Sequence, residues 1–197
     1  QSSTTADITA KSLSVSGITA SNKTYDGSTN ATLDASSVTY TGLVGGDTFN
    51  GTYAGAFSDK NVGSGKSVTI TSSYTGADVS NYSVTDQSTT TADIAAKALT
   101  ATASASNKTY DGNTTASATL TLSGFAGTET LTSTNSSTFN NKNVGAGKTV
   151  TVNSITLADG TNGGLASNYS ISTGQTTTAD ITAKSLTVTG ITASNKT

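Results

Sequence analysis

Apolar and polar residues alternate along this chain in short bursts. Leu13 and Val15, Val38 and Tyr40, Val68 and Ile70, Tyr82 and Val84, and Ala92 and Ile94 each stand two apart around a polar residue. A period of two over short runs places one set of side chains on each face of an extended segment, so these bursts predict half-buried β-strands. Gly, Asn and Asp gather between the bursts, where their tolerance of tight backbone geometry predicts turns. Seven or eight short strands are expected in each stretch of roughly 85 residues. A period near 3.6 is nowhere sustained; only "LDASSV" at 33–38 and "GADVSNY" at 76–82 suit a single helical turn.

The pattern itself repeats. "TADITAKSLSVSGITASNKTYDG" at 5–27 returns as "TADIAAKALTATASASNKTYDG" at 91–112 and as "TADITAKSLTVTGITASNKT" at 178–197. "KNVGSGKSVTI" at 60–70 answers "KNVGAGKTVTV" at 142–152, and "SNYSV" at 80–84 answers "SNYSI" at 167–171. Tyr25 and Tyr110 are 85 apart, Asn61 and Asn143 82, and Tyr82 and Tyr169 87, a drift that places small insertions in loops. One repeat is expected over 11–95 and a second over 96–183. Residues 1–10 are read as the end of a preceding repeat and 184–197 as the start of a following one.

Composition explains how so polar a chain can still fold. Its 43 Thr and 30 Ser suit the solvent face of strands, since the branched Thr Cβ fits the pleat while its hydroxyl stays in water. Only 32% of residues are hydrophobic, so each repeat has a small core. Between the repeats, "STTTADIAAKALTATA" at 88–103 contains neither Gly nor Pro. A joint that short predicts an elongated, semi-rigid rod. The expected fold is all-β, with two tandem small β-domains. An immunoglobulin-like sandwich is favoured by the strand count, and a β-grasp-like sheet with one short helix is the alternative.

Candidate chemistry is sparse. The Tyr-Asp-Gly triplets at 25–27 and 110–112 read as a buried ring entering a turn, with glycine free to take positive φ and the aspartate accepting from backbone N–H groups. A cation site on Asp26 and Asp111 is the rival, but one aspartate per repeat falls short of a calcium loop's ligand set. "NVGSGK" at 61–66 and "NVGAGK" at 143–148 lack P-loop spacing and lead into strands, so they predict tight turns. All ten basic residues are Lys and fall on four repeat positions: 11, 97 and 184; 23, 108 and 196; 60 and 142; 66 and 148. They read as solvated groups, with a Lys–Asn amide crosslink as the sharper alternative. Tyr53 and Tyr74 have no aromatic or aliphatic counterpart in the second repeat and are the candidates for surface contacts.

Both repeats resemble the bacterial YDG domain, through "NKTYDG", "KNVGxGK", "NYS" and "TADITAK". In that family the last block usually carries a proline before its lysine, where this chain has Ala10, Ala96 and Ala183. The resemblance implies an extracellular, mainly β module, present in tandem in large secreted adhesins of the filamentous haemagglutinin type.

An enzyme is not expected: His and Cys are absent, Glu129 is the single Glu, and no nucleophile recurs beside a base. No catalytic, cofactor-binding or metal-ligating residue is assigned. With 11% charged residues and a net charge of -2 there is no basic stripe for nucleic acid. No stretch approaches the roughly 20 apolar residues that cross a bilayer, so membrane contact is not expected of this segment. The expected role is a structural stalk of an extracellular adhesin or matrix fibre. Its expected partners are neighbouring repeats and other copies of the chain; a module that binds a glycan or a surface is the alternative.

Overall fold

A computed structural model describes residues 2–197 and resolves the alternating bursts into strands. In chain order these are β1 (Lys11–Ser16), β2 (Thr19–Ala20), β3 (Lys23–Thr24), β4 (Asn30–Ala31), β5 (Leu33–Asp34), β6 (Thr39–Thr41), β7 (Asn50–Phe57), β8 (Gly63–Thr75), β9 (Tyr82–Thr85) and β10 (Thr89–Ala95). After the single residue Ala96 come β11 (Lys97–Ala105), β12 (Lys108–Thr109), β13 (Thr115–Ala116), β14 (Ala118–Ser123), β15 (Leu131–Phe139), β16 (Gly145–Asp159), β17 (Tyr169–Ile171) and β18 (Thr176–Thr182). No α-helix occurs among the described residues; a 3-10 turn at Val79–Asn81 falls inside the helical candidate 76–82, whereas 33–38 opens with β5. The first repeat has more strands than expected because several are two-residue pairings too short to show a period.

The chain divides into two compact units. The first runs up to Lys97 and takes in Ser167–Tyr169; the second comprises Ala98–Ala166 and the residues from Ser170 onward. In the first, one sheet has the order β6-β1-β9, a second has β3-β10-β8-β7-β4, and β2 pairs with β5. Leu13 and Val15 of β1, Tyr82 of β9 and Ile70 of β8 join Ile18 and Phe49 in one buried cluster, so the two sheets face each other as a sandwich. Their neighbours of opposite parity, Ser12, Ser14, Thr69 and Thr71, are exposed. Burying the β1 and β8 side chains removes apolar area from water on alternate residues only, which is how a chain rich in Thr and Ser obtains a core.

Pairing is mixed. β1 runs antiparallel to β6 but parallel to β9, and β10 runs antiparallel to β8 but parallel to β3. Parallel neighbours cannot be joined by a tight hairpin, so segments distant in sequence are brought side by side. The second unit repeats the plan with orders β14-β11-β17 and β12-β18-β16-β15-β13, again with a parallel pair between β12 and β18. Phe139, Val150, Ala179 and Ile181 form a buried cluster against Tyr110, Ala105 and Ala116.

Tyr53 and Tyr74 are not surface contacts; both are half-buried against the first unit's core. The Tyr53 and Tyr40 hydroxyls share a 2.9 Å hydrogen bond, and the Tyr74 ring lies 4.9 Å from that of Phe49. Gly51 makes this possible, because a Cβ there would come within 2.1 Å of the Tyr53 hydroxyl oxygen. Burial, assisted by a hydrogen bond to Asp86, pushes the Tyr74 phenol up to about 12. Tyr74 also has an apolar counterpart. It pairs across the sheet with Gly51, as Leu157 pairs with Ser133, and the two alignments differ by the extra residue of a bulge between Ser136 and Ser137.

Residues 2–10 and 184–197 form no strand and are exposed; Gln1, part of the 1–10 segment, lies outside the described residues. Leu186 and Val188, which repeat the positions of buried Leu13 and Val15, are 89% and 77% exposed.

Candidate functional site

The recurring blocks converge on the strand trio β3, β10 and β8 in the first unit and on β12, β18 and β16 in the second. β3 carries Lys23 and Thr24 alongside Ile94 and Ala95, and the Tyr25 N–H then donates to Ala95 O over 2.8 Å. The chain turns at once: Gly27 has φ +82° and Asp26 Oδ1 accepts the Ser28 N–H at 2.8 Å. Lys23 Nζ fills the turn, donating to Asp26 Oδ1 at 2.9 Å, Ser28 O at 2.8 Å and Asn30 O at 3.0 Å, and it lies 5.4 Å from the centre of the Phe57 ring. The second unit copies this with Lys108, Asp111, Asn113 O, Thr115 O and Phe139.

This use of Lys23 and Lys108 is the feature the sequence reading missed. An ammonium has three donors and no acceptor, so it ties together a carboxylate and carbonyls that a tight turn leaves without partners. The electrostatics follow. Burial pushes the Asp26 carboxyl up, but the hydrogen bonds from Lys23 and Ser28 outweigh it and hold the group below its ordinary value. At Asp111 the Lys108 hydrogen bond leads and the direction is the same.

The glycine-rich block is not a turn between strands but an irregularity within one. β8 begins at Gly63, and its pairing with β10 shifts register between Ala92 and Ile94. Gly65 sits there with φ +58°, and its N–H donates to Asp93 Oδ1 at 2.7 Å. Asn22 Oδ1 accepts the Asp93 N–H at 2.7 Å. Gly147, Asp180 and Asn107 reproduce both bonds. The backbone donors that resemble a phosphate cradle thus face the chain's own carboxylate. Lys66 Nζ closes the neighbouring loop on both Asp59 oxygens at 2.8 Å, and Asp59 is held below its ordinary value chiefly by that contact.

The asparagine–tyrosine block has its own geometry. The Tyr82 hydroxyl donates to Asp47, accepts the Val44 N–H at 2.9 Å, and is raised above its ordinary value chiefly by the Asp47 bond. Within the first unit, buried Asn168 accepts the Val62 N–H at Oδ1 and donates from Nδ2 to Asn61 Oδ1, both at 2.9 Å. The Tyr169 ring meets the Tyr25 ring edge-on at 5.4 Å.

The sharper readings lose ground on these contacts. Asp26 and Asp111 are engaged by lysines, and among the described residues no group of three carboxylates gathers. Lys148 contacts Asn141, but its equivalent Lys66 contacts Asp59, so an ammonia-releasing crosslink at this position cannot be common to both repeats. Among the described residues no helix is long and apolar enough to cross a membrane.

A family model described as the YDG domain matches residues 9–92 and again 95–179. Among curated proteins and solved structures nothing matches the chain.

Proposed function

The chain belongs to the YDG domain family, and on that premise we propose that it is a structural spacer. In this reading it is a non-enzymatic stretch of tandem β-domains in a bacterial extracellular adhesin or matrix fibre, holding a functional part away from the cell. The observation that carries the reading is the use made of the family's recurring residues. Asn22 and Asn107 tie the last strand of each unit to the segment before β3 and β12, Gly65 and Gly147 tie that strand to β8 and β16 through Asp93 and Asp180, and Lys23 and Lys108 brace the turn that follows β3 and β12.

That fastening suits tension. β3 and β10 run parallel, as do β12 and β18. A force drawing the chain N-terminally through β3 and C-terminally through β10 therefore slides the pair along its length and loads its bonds together rather than one by one. A single residue, Ala96, separates β10 from β11, so tension leaving one repeat enters the next without a slack tract. The exposed face of Thr and Ser hydroxyls keeps such a strand-rich surface hydrated.

The competing reading is a module that binds a glycan or a surface. Retention of the chain on immobilised glycans and mucin separates the two: a spacer shows no saturable binding at micromolar chain, and saturable binding to a defined glycan would overturn it.

A further inference from the structure

Asn168 is fully buried in the first unit, although the chain on either side of Ser167–Tyr169 belongs to the second. Its Oδ1 accepts the Val62 N–H and its Nδ2 donates to Asn61 Oδ1, across 106 and 107 residues of sequence. Beside it the Tyr169 ring stands edge-on to Tyr25, which is 1% exposed, and Lys60 Nζ lies 5.8 Å from the centre of the Tyr25 ring. Ser167–Tyr169 therefore closes over the loop that joins β7 to β8. The second unit shows the same letters without such a cover among the described residues: Tyr110 is half-buried, Asn143 exposed and Val144 54% exposed. The deeper burial of Tyr25, Asn61 and Val62 is thus the work of the tripeptide and not of the repeat's own strands.

The tripeptide is set from both sides by the second unit. Before it, the Ala166 N–H donates to Asp159 Oδ1 at 2.7 Å, at the end of β16; after it, β17 continues to Ile171 in the sheet β14-β11-β17. With those flanks folded, the Asn168 amide arrives already oriented. With them open, the ordering entropy of three residues opposes contacts of similar size. We propose that Ser167–Tyr169 is a clasp that couples the β7–β8 loop of the first unit to the folding of the second. The loop is held while β16 and β17 are folded and released when they open, and the first unit's core stays intact. Opening of one repeat is thereby felt by the repeat before it. The clasp does not depend on the spacer reading, and either can fail alone.

The test is amide hydrogen exchange of the whole chain, read residue by residue by NMR, in wild type, Val150→Ala, Asn168→Ala and the double variant. Val150 lies in the buried cluster of the second unit, so its truncation weakens that unit and leaves every atom of the clasp in place. The Val152 N–H, which donates to Gln175 O, reports on the second unit, and the Ile70 N–H, which donates to Ser88 O, on the first. In Val150→Ala the Val62 amide is expected to exchange faster by the same factor as Val152, while Ile70 keeps its wild-type rate. Asn168→Ala alone should speed Val62 by about tenfold or more, the loss of one buried hydrogen bond, with Ile70 unchanged. In the double variant Val62 should no longer respond to Val150→Ala. If Val150→Ala does not fold, Asp180→Ala, which removes the acceptor of the Gly147 N–H, takes its place. A Val62 rate that ignores the weakened second unit would overturn the proposal, because the clasp then opens by itself. So would an Ile70 rate that rises in step with Val152, or a Val62 rate untouched by Asn168→Ala.

Discussion

Gly65 and Asp93, 28 residues apart in the chain, meet through a 2.7 Å bond from the glycine N–H to the aspartate Oδ1. Gly147 and Asp180 meet in the same way at the same distance. The bond stands where the β8–β10 ladder slips register, so the carboxylate satisfies a backbone donor that the ladder cannot.

Asp93→Ala should therefore cost about 1 kcal/mol, since it removes the short bond from the Gly65 N–H and the longer, 3.5 Å bond from Asn22 Nδ2 at a partly solvated site. Asp93→Asn keeps an oxygen at the same place and should cost less. Denaturant midpoints of the three chains, compared at equal slope, check the order.

Substitutions at two glycines should separate backbone preference from space. A Cβ at Gly65 meets nothing within 4 Å, so with φ +58° its replacement by alanine costs only the left-handed backbone, about 1 kcal/mol. Gly65→Asn should cost less, because asparagine tolerates that region. At Gly17, φ is +90° and a Cβ would lie 2.2 Å from Ser37 O, so Gly17→Ala should lose at least twice as much. Thermal unfolding of the three variants reads this directly.

Stability should fall at both ends of the pH scale. Asp26, Asp59 and Asp111 are held below their ordinary value of 3.8, so the folded chain binds fewer protons than the unfolded one there. Their contribution is complete above the ordinary carboxylate range and is lost as pH falls through the lower, folded values. Tyr74 is shifted the other way, from 10.0 to about 12, so its contribution is complete below about pH 10 and is lost as pH rises towards 12. Unfolding midpoints against pH should show both limbs, and Tyr74→Phe should make the alkaline limb shallower, with the Tyr53 and Tyr82 share remaining, and leave the acid limb unchanged.

The strands were legible because burial on one face imposes a period of two: Leu13, Val15, Val68, Ile70, Ala92 and Ile94 all turn inward as their spacing predicts. The Tyr-Asp-Gly turn was legible because its chemistry is local, with Asp26 accepting from Ser28 two residues on. What lay beyond reading was set at a distance. Asp93 recurs with Asp180, yet nothing near either names Gly65 or Gly147 as its partner. Lys23 looked like a solvated charge, although its place three residues before Asp26 was a usable clue. Tyr74 was misaligned because a bulge in the opposite repeat inserts one residue that period-two counting cannot see. Ser185–Ile191 matches Ser12–Ile18 almost letter for letter, but no partner strand reaches it among the described residues, and it forms no strand and stays exposed. Alternation proposes a strand, and pairing makes one.

The most direct test of the spacer account is to pull one chain by its ends. Each unit of roughly 85 residues should open in its own abrupt event and release a little under about 290 Å, the extended length at ~3.4 Å per residue less the folded span. Two such events of similar size, at forces that drop when Asp93 or Asp180 is replaced by alanine, are the predicted result. Gradual lengthening without abrupt events, or one event releasing the whole chain, would contradict it.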